Sequence, residues 1–554
     1  MASRVVPPGV ASGPFETAQP PRERRSGWLL VAALLALPAA VPLIAIVFAT
    51  LTPDTEVWAH LARYVLPRVI GNTLALVGGV LVLTAVIGVG LAWLTAACEF
   101  PGRRFFDWAL MLPLAVPGYV LATIAVGFLD FAGPLQSALR AVLGESARLP
   151  PIRSGGGVVI VMSLALYPYV YLLARSAFAT QGARVLEAAR TLGHPPRRAF
   201  WSVSVPIARP WIVIGLALVA METLADFGTV AVFNYDTFTT AIYRAWFGFF
   251  SVNAALELAA VLLLLVALAL AAERYARSGA RFAVETPARG ATRLVLGRRA
   301  RWFATGVAAG VLLIAFALPL LQLLVWAVQH APRDLDLRYF GLVGRSLALA
   351  SLAAALIVVA ALLLAYATRC DGRRATRALA RLATLGYAVP GTVLAVGVIV
   401  PVAFATRALE ATFGPSSYVP YLQGTLVTLL LAYVARFMFV GHGAIDSGLQ
   451  RITRSIDDAA AGLGVRRLAL LQRVHLPLLR SGLAAGATLA FVDVMKEMPI
   501  TLIARPFGWD TLAVRVFEMA SEGEWERAAL PAVAIVLVGL VPVAILTRRS
   551  VHAA

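Results

Sequence analysis

The chain of 554 residues is longer than one ordinary globular domain; 60% of its residues are hydrophobic and only 14% are charged. So few charged residues cannot cover the surface of a soluble protein, and apolar runs long enough to cross a bilayer recur along the whole sequence. The composition therefore excludes a soluble protein and indicates a polytopic membrane protein.

The formal net charge of +19 would also suit a nucleic-acid-binding protein. The arginines lie instead in short loops at alternate ends of the apolar runs, as the positive-inside rule requires, and no basic soluble domain is visible. We therefore expect the lipid bilayer, and no nucleic acid, as a partner. The two cysteines, Cys98 and Cys370, form neither a disulfide framework nor a metal-ligand cluster, and we expect both to be small packing residues.

The chain begins with residues 1–26, which are rich in Pro, Gly and Ser and which we expect to form a disordered cytoplasmic tail. The apolar runs that follow predict an all-α fold with about twelve transmembrane helices. The predicted spans lie approximately at 27–51, 71–97, 107–130, 157–177, 211–233, 251–272, 303–328, 346–367, 382–406, 424–445, 481–503 and 529–547.

Loop charge sets the predicted orientation. The arginine-rich loops all fall on one side of the membrane, and the loops between them carry more acids, for example Glu522, Glu524 and Glu526. Since arginine-rich loops stay in the cytoplasm, we predict that both termini are cytoplasmic.

The two halves of the sequence repeat each other. The stretch GNTLAL from Gly71 returns as GRSLAL from Gly344, and AVPG from Ala115 returns as AVPG from Ala388, each 273 positions later. Six spans per half is an even number, so the two halves should have parallel orientation. We predict a first six-helix half at 27–273, a cytoplasmic linker at 274–302 and a second half at 303–548.

A charged loop precedes the fifth and the eleventh span, as EAARTLGHPPRRAFWSVSVP and as DAAAGLGVRRLALLQRVHLP. An acid favours the start of a helix, and glycine can close a helix in the left-handed conformation. We therefore predict a short helix from the acid to the glycine, then a second amphipathic piece that the proline ends. The shared positions are Glu187, Ala188, Ala189, Gly193 and Pro206 in the first copy and Asp458, Ala459, Ala460, Gly464 and Pro477 in the second.

This loop resembles the EAA loop of ABC importer permeases, which is the coupling helix that docks in a cleft of the cytoplasmic ATPase. Asp458 stands where that motif usually has glutamate, which is a mild departure. An ordinary amphipathic loop on the membrane surface is the alternative. The same long spacing in both halves, with duplicated spans around it, favours the coupling loop.

Residues 222–247 and 493–521 resemble the corresponding segments of fused two-half permeases of periplasmic iron(III) importers, and the resemblance runs from the first span to the last. It implies a periplasmic ferric-binding protein, two cytoplasmic ABC ATPase subunits, no cofactor and a location in the bacterial inner membrane. Thiamine and phosphonate permeases share the double-loop layout, so those substrates stay open.

Two other classes of protein are less favoured. An ion-coupled secondary transporter with twelve spans has no reason to carry two coupling loops. An ATPase needs the pattern GxxxxGK[ST], but the only lysine, Lys496, lies in VDVMKEMP without such glycines. We therefore expect a transport subunit that is not itself an enzyme.

Ionisable residues within spans are costly and are functional candidates by default. Residues four apart share one helix face, and oxygen ligands suit a hard trivalent cation. Two interpretations stay open: acidic faces that line a translocation pathway, or a buried ion-pair network in which the lysine neutralises a neighbouring acid. The candidates are Glu222 and Asp226 in the fifth span and Asp493, Lys496 and Glu497 in the eleventh.

Three weaker candidate groups remain, and no metal site is assigned. Intramembrane tyrosines offer phenol oxygens to iron but more often pack or form aromatic belts. Pro-Gly pairs in spans 3 and 9 predict kinks. Charged residues of the outer loops are expected to dock the binding protein through a salt-dependent contact. These groups are Tyr167, Tyr169 and Tyr171; Pro117-Gly118 and Pro390-Gly391; and Asp236, Arg244, Asp510 and Arg515.

Overall fold

The computed structural model describes residues 27–51, 54–191, 193, 195, 198, 200–277, 293–414, 424–465 and 468–552. The predicted tail at 1–26 and most of the predicted linker lie outside the described residues. Within them, 11 helices are long and apolar enough to cross a membrane, and the shorter apolar stretch Ala529–Pro542 stands at the place of the predicted twelfth. The predicted all-α polytopic fold is confirmed.

We number the helices at the predicted positions as spans 1 to 12 in chain order; the first eleven are long and apolar enough to cross a membrane, and the twelfth is the helix with the shorter apolar stretch. They are Trp28–Leu51, Thr55–Ala97, Gly118–Leu143, Gly155–Thr191, Phe200–Ala225, Val252–Arg277, Arg298–Asp334, Leu337–Cys370, Gly391–Phe413, Leu426–Gln450, Leu468–Lys496 and Ala529–His552. Span 3 consists of two helices, Gly118–Leu129 and Pro134–Leu143.

The prolines of the two charged loops do not end a helix, contrary to the prediction. Pro206 and Pro477 each lie inside a continuous helix, directly after the π-helical turns Phe200–Ser204 and Leu471–His475. A proline has no N–H to donate and its ring clashes with the carbonyl four residues earlier. The wider π-turn gives that carbonyl room, so the helix passes through the proline.

The predicted spans at 107–130 and 382–406 are interrupted at their Pro-Gly pairs, which is a larger disruption than the predicted kink. The chain enters through the 3-10 turns Leu112–Ala115 and Leu385–Ala388, and each α-helix then starts at the glycine after the proline. Proline suits the start of a helix, because the N–H that it lacks would have no partner within the first turn. Both halves of the repeat therefore contain the same interruption.

Spans 5 and 11 end earlier than predicted. The prediction ran to 233 and 503, but the helices stop at Ala225 and Lys496, and the next residues, Asp226 and Glu497, are extended. A second short helix follows in each half, Gly228–Val232 and Pro499–Ala504. Non-helical backbone inside a membrane protein is tolerated where it is buried or lines a cavity.

The first helix of each half packs against the other half. Ala32 and Ala36 of span 1 share a buried cluster with Ala361 and Leu364 of span 8. Span 7 contacts the first half in the same way, since Thr305 donates a hydrogen bond of 3.0 Å to the Pro101 carbonyl. These contacts of the first helix of each half with the other half join the two halves. The boundaries of the halves at 273 and 303 stay a prediction.

Candidate functional site

A cavity of about 230 Å³ lies where the interrupted helices of the two halves meet. Spans 3, 4, 5, 10 and 11 and the turn before span 9 contribute to its wall. The lining contains every pathway candidate that the sequence indicated, namely Glu222, Asp226, Asp493, Lys496 and Glu497. The structure thus brings the two acidic sets, 271 positions apart in sequence, to one site.

Two of the four acids hold the interrupted backbone. Asp226 accepts hydrogen bonds from the Thr229 hydroxyl at 2.9 Å and from the Val230 N–H at 3.2 Å. Glu497 accepts one from the Ile500 N–H at 3.1 Å. Each carboxylate therefore caps the short helix that follows it, which leaves it less free for a substrate.

The glycines that start spans 3 and 9 allow these turns to approach closely. A Cβ atom on Gly118 would lie 2.8 Å from the Thr229 hydroxyl oxygen, and one on Gly391 would lie 2.9 Å from a Glu497 carboxylate oxygen. Any larger residue would push the acid-bearing turn away. The repeated Pro-Gly pairs therefore position the cavity wall as well as interrupting the helices.

The other two acids, Glu222 and Asp493, lie on regular helix and face the cavity. Both are only partly buried. Among the described residues, no ion pair within 4.0 Å and no hydrogen bond from a protein group was found for either side chain. Their carboxylates are therefore the ones available to a passing solute.

The cavity also contains two cationic side chains. Lys496 donates to the Leu114 carbonyl at 3.1 Å, and Arg436 donates to the Val389 carbonyl. Within the described part of the chain, Lys496 forms no ion pair within 4.0 Å with Asp493 or Glu497. A direct ion pair between these residues, one of the two interpretations of the sequence, is therefore not the arrangement seen. Each cation instead binds a carbonyl that helix interruption leaves without its usual partner.

Sequence reasoning missed four polar residues that line the cavity: Tyr119, Thr229, Tyr387 and Arg436. Arg436 carries a signal that would have found it, because it is an ionisable residue within span 10. The two tyrosines carry no such signal, since only the tertiary fold separates them from packing tyrosines.

Of the three tyrosines in span 4, only Tyr169 lines the cavity. Tyr167 donates to the Leu110 carbonyl at 2.9 Å and Tyr171 to the Asp107 carbonyl at 2.9 Å, and both are fully buried. Those two therefore serve packing. Among the described residues, no three His, Cys, Asp or Glu side chains group closely enough to hold a metal ion.

The two charged loops share their glycine conformation but not their helices. Gly193 and Gly464 both have φ of +79°, as predicted. In the second copy a separate helix, Arg454–Gly462, starts before the acid rather than at it. In the first copy no separate helix starts at Glu187, because that residue lies inside span 4, which runs on to Thr191.

Backbone hydrogen bonds show why the second loop closes at its glycine. The Val465 N–H donates to the Ala460 carbonyl at 2.9 Å, and the Gly464 N–H donates to the Ala461 carbonyl at 3.0 Å. This pair of bonds is the Schellman motif, which needs a left-handed residue at the position of Gly464. Next to it, Leu463 is 84% exposed, so an apolar side chain stands on the loop surface.

The four outer-loop candidates form two different arrangements. Asp236 pairs with Arg244 at 2.5 Å and with Arg68 at 2.9 Å. Asp510 and Arg515 are not brought together in this way. Asp510 pairs with Arg505 at 3.0 Å, and Arg515 lies 3.7 Å from Glu518. The two halves therefore present different charge patterns in equivalent loops.

Comparison with known proteins finds membrane transport proteins that resemble this chain. Residues 85–277 match the sequence model of the binding-protein-dependent transport system inner membrane component. A Fe(3+)-transport system permease protein of Haemophilus influenzae is 25% identical over 535 residues, which cover 94% of this chain and 98% of that protein.

Two further relatives match less of the chain. A ferric transport system permease protein of Actinobacillus pleuropneumoniae is 24% identical over 483 residues, covering 80% of this chain and 66% of that protein. A molybdenum transport system permease protein of Escherichia coli is 28% identical over 146 residues, which cover 26% of this chain and 62% of that protein. Residues 85–277 thus match this family of inner membrane components, and the chain is similar over 94% of its length to an Fe(3+)-transport system permease.

Proposed function

We propose that this chain forms the membrane pathway of an importer for iron(III), which a periplasmic binding protein delivers and a separate cytoplasmic ATPase drives. The observation that carries the proposal is the shared cavity, in which carboxylates from both halves outnumber the cationic side chains. A relative that is covered over 98% of its length is named as an Fe(3+)-transport system permease.

The chemistry of the cavity fits a hard cation as substrate. Glu222 and Asp493 offer carboxylate oxygens from opposite halves, and Tyr169 and Tyr387 add phenol oxygens. Iron(III) prefers such oxygen ligands. Because the two acids lie on separate helices, a movement of one half against the other would change the distance between them, which would let the ion bind and then leave.

The two charged loops supply the contact with the ATPase in this proposal. Each loop precedes a helix that ends at the cavity, span 5 at Ala225 and span 11 at Lys496. A displacement of the loop along the helix axis would therefore reach the acids directly. The proposed coupling positions are Glu187 to Ala189, Gly193 and Pro206, and Asp458 to Ala460, Gly464 and Pro477.

We further propose that the outer loops meet the binding protein through Arg244 and Arg515. Arg244 is half exposed although it pairs with Asp236, and Arg515 is similarly exposed beside Glu518. Exposed charges of this kind steer a partner of opposite charge and are screened by salt. Asp236 holds Arg244 in place, and Asp510 holds Arg505 rather than Arg515.

The proposed orientation, with both termini in the cytoplasm, predicts a one-sided thiol reaction. Cys370 is exposed at the end of span 8, which corrects its expected packing role, whereas Cys98 is buried and burial raises its thiol pKa to about 11. Thiolate is the reactive form. A membrane-impermeant maleimide should therefore label inside-out vesicles at Cys370 and leave right-side-out vesicles unlabelled.

The Cys370→Ala variant is the control for that labelling, because it should remove the reaction and leave Cys98 unmodified. Labelling of right-side-out vesicles alone would reverse the proposed orientation.

ATP hydrolysis by the reconstituted complex tests the proposed substrate. The chain would be expressed with its ATPase and binding protein, and hydrolysis measured with ferric-loaded, thiamine-loaded and empty binding protein. We expect stimulation by the ferric form only. Stimulation by the thiamine-loaded form would support an ATP-driven importer but refute iron(III) as its substrate. If the intact chain bound no ATPase, the proposal of an ATP-driven importer would itself be refuted.

A further inference from the structure

The second charged loop is held by a carboxylate that the coupling motif does not include. Asp457 precedes the motif acid and lies on the helix Arg454–Gly462. One carboxylate oxygen accepts a hydrogen bond from Arg369 Nη2 at 2.7 Å, and the other is 2.8 Å from His475 Nε2. We call these three residues, Arg369, Asp457 and His475, the acid clamp.

The clamp joins four parts of the second half. Arg369 belongs to the last turn of span 8, and its Nη1 also donates to the carbonyls of Leu449 and Ile452, at 2.9 and 3.0 Å, where span 10 ends. Asp457 belongs to the coupling helix, and His475 to the π-turn of span 11. A single carboxylate therefore connects the loop to the helix that carries Asp493.

The His475 side of the clamp is rigid. The imidazole is 1% exposed and packs edge-on against the Tyr366 ring with centroids 5.6 Å apart. The carboxyl group of Asp457 is partly buried, which on its own would raise its pKa, but the hydrogen bonds from His475 and Arg369 lower the pKa below its ordinary value. Asp457 is thus ionised at neutral pH, and its bonds to Arg369 are charge-assisted.

The sequence of the first half does not contain the three residues of the clamp at equivalent positions. By the offsets of the repeat, Arg369 corresponds to Ala96, Asp457 to Leu186 and His475 to Ser204. None of these three residues is ionisable, so no ion pair can form between them. The π-turn that carries His475 has a counterpart in the first half, Phe200–Ser204, but the helix that carries Asp457 has none as a separate helix.

We propose that Arg369, Asp457 and His475 are positioning residues that fix the second coupling helix to span 11, so that the second half transmits movement of the ATPase more rigidly than the first. The inference rests on the proposed ATP-driven import. When the ATPase displaces the loop, the clamp prevents the loop from sliding over span 11. The displacement therefore moves the far end of that helix, where Asp493 and Lys496 line the cavity.

The test is the ratio of substrate transported to ATP hydrolysed, measured in proteoliposomes that contain the whole complex. Asp457→Asn keeps the size of the side chain and removes its charge, and we expect it to lower the ratio at least about fivefold, the lower end of measured couplings between sites. The ATPase should still bind and hydrolyse ATP. Asp457→Glu restores the carboxylate and should restore most of the ratio, which a loss of folding alone would not explain.

Asp446→Asn is the matched control. Asp446 and Asp457 both line a second cavity, of about 350 Å³. Asp446 accepts a hydrogen bond from Gln450 at 2.7 Å but is not part of the clamp. In the Asp446→Asn variant the ratio of substrate transported to ATP hydrolysed should stay at the wild-type value. If Asp457→Asn does not insert into the membrane, His475→Gln, which leaves the Arg369–Asp457 pair, should lower the ratio instead.

An unchanged ratio in an inserted Asp457→Asn or His475→Gln protein would overturn the clamp. An equal fall for Asp446→Asn would also overturn it, because any lost charge would then have the same effect. Failure of the wild-type complex to bind ATPase would instead remove the proposed function on which the clamp depends.

Discussion

The rate of iron uptake should fall at least about tenfold when Glu222 and Asp493 are replaced together by Gln and Asn. A tenfold fall corresponds to an increase of roughly 1.4 kcal/mol in the activation free energy. These are the two cavity carboxylates without a protein hydrogen bond among the described residues, so their charge is available to the substrate. A carboxylate in a cavity of low dielectric attracts a cation far more strongly than an amide of the same size. Uptake of radioactive iron(III) into cells or proteoliposomes measures the effect.

Glu257→Gln is the matched control for this double variant. Glu257 lies in span 6, is 3% exposed and accepts a hydrogen bond from the Asp54 N–H at 3.1 Å, away from the cavity. Glutamine can accept the same bond, so we expect uptake to stay near that of the wild type. Wild-type uptake by a stably inserted Glu222→Gln, Asp493→Asn protein would eliminate the proposed role of these acids.

Gly464→Val should disconnect the ATPase. Gly464 has φ of +79°, a conformation that costs an ordinary L-residue about 1–2 kcal/mol and a β-branched one more. The Schellman motif that ends the helix Arg454–Gly462 would open, and the coupling surface with Leu463 would change shape. We expect co-purification of the ATPase with this variant to fall markedly, and ATP-driven uptake with it. Gly193→Val should act in the same way in the first loop.

Gly462→Ala, two residues earlier, is the control, because it also replaces a glycine but at a position that does not need the left-handed conformation. Gly462 ends the helix with ordinary helical φ, and a Cβ atom there would meet nothing within 4 Å. Alanine is favoured over glycine in a helix by about 1 kcal/mol, so this variant should keep its ATPase. If Gly464→Val kept the ATPase as well as Gly462→Ala does, the loop would not be the docking element.

The sequence predicted the coarse architecture well because the responsible signals are local. Apolar runs of membrane length located the spans, and the helices of the structure lie over them. The glycines of the two loops were also predicted correctly, since the left-handed conformation at Gly193 and Gly464 depends on neighbouring residues of the same loop.

The prediction of helix ends failed where distant groups satisfy the backbone. Spans 5 and 11 stop before Asp226 and Glu497 because those carboxylates cap the next short helix, and apolar residues continue past the break. Pro206 and Pro477 were expected to end a helix, but π-turns carry the helix through. Neither outcome changes the hydropathy of the segment, so the sequence pattern could not distinguish them.

The sequence by itself determined the class of protein, the spanning helices, the repeat and the acidic residues of spans 5 and 11, because bilayer thickness and the cost of burying charge act on each segment separately. Only the tertiary structure decided that both acidic sets line one cavity, that Tyr387 and Arg436 join them, and that the first helix of each half packs on the other. Those features arise from contacts between segments far apart in the chain, where close packing and the pairing of buried polar groups select one arrangement.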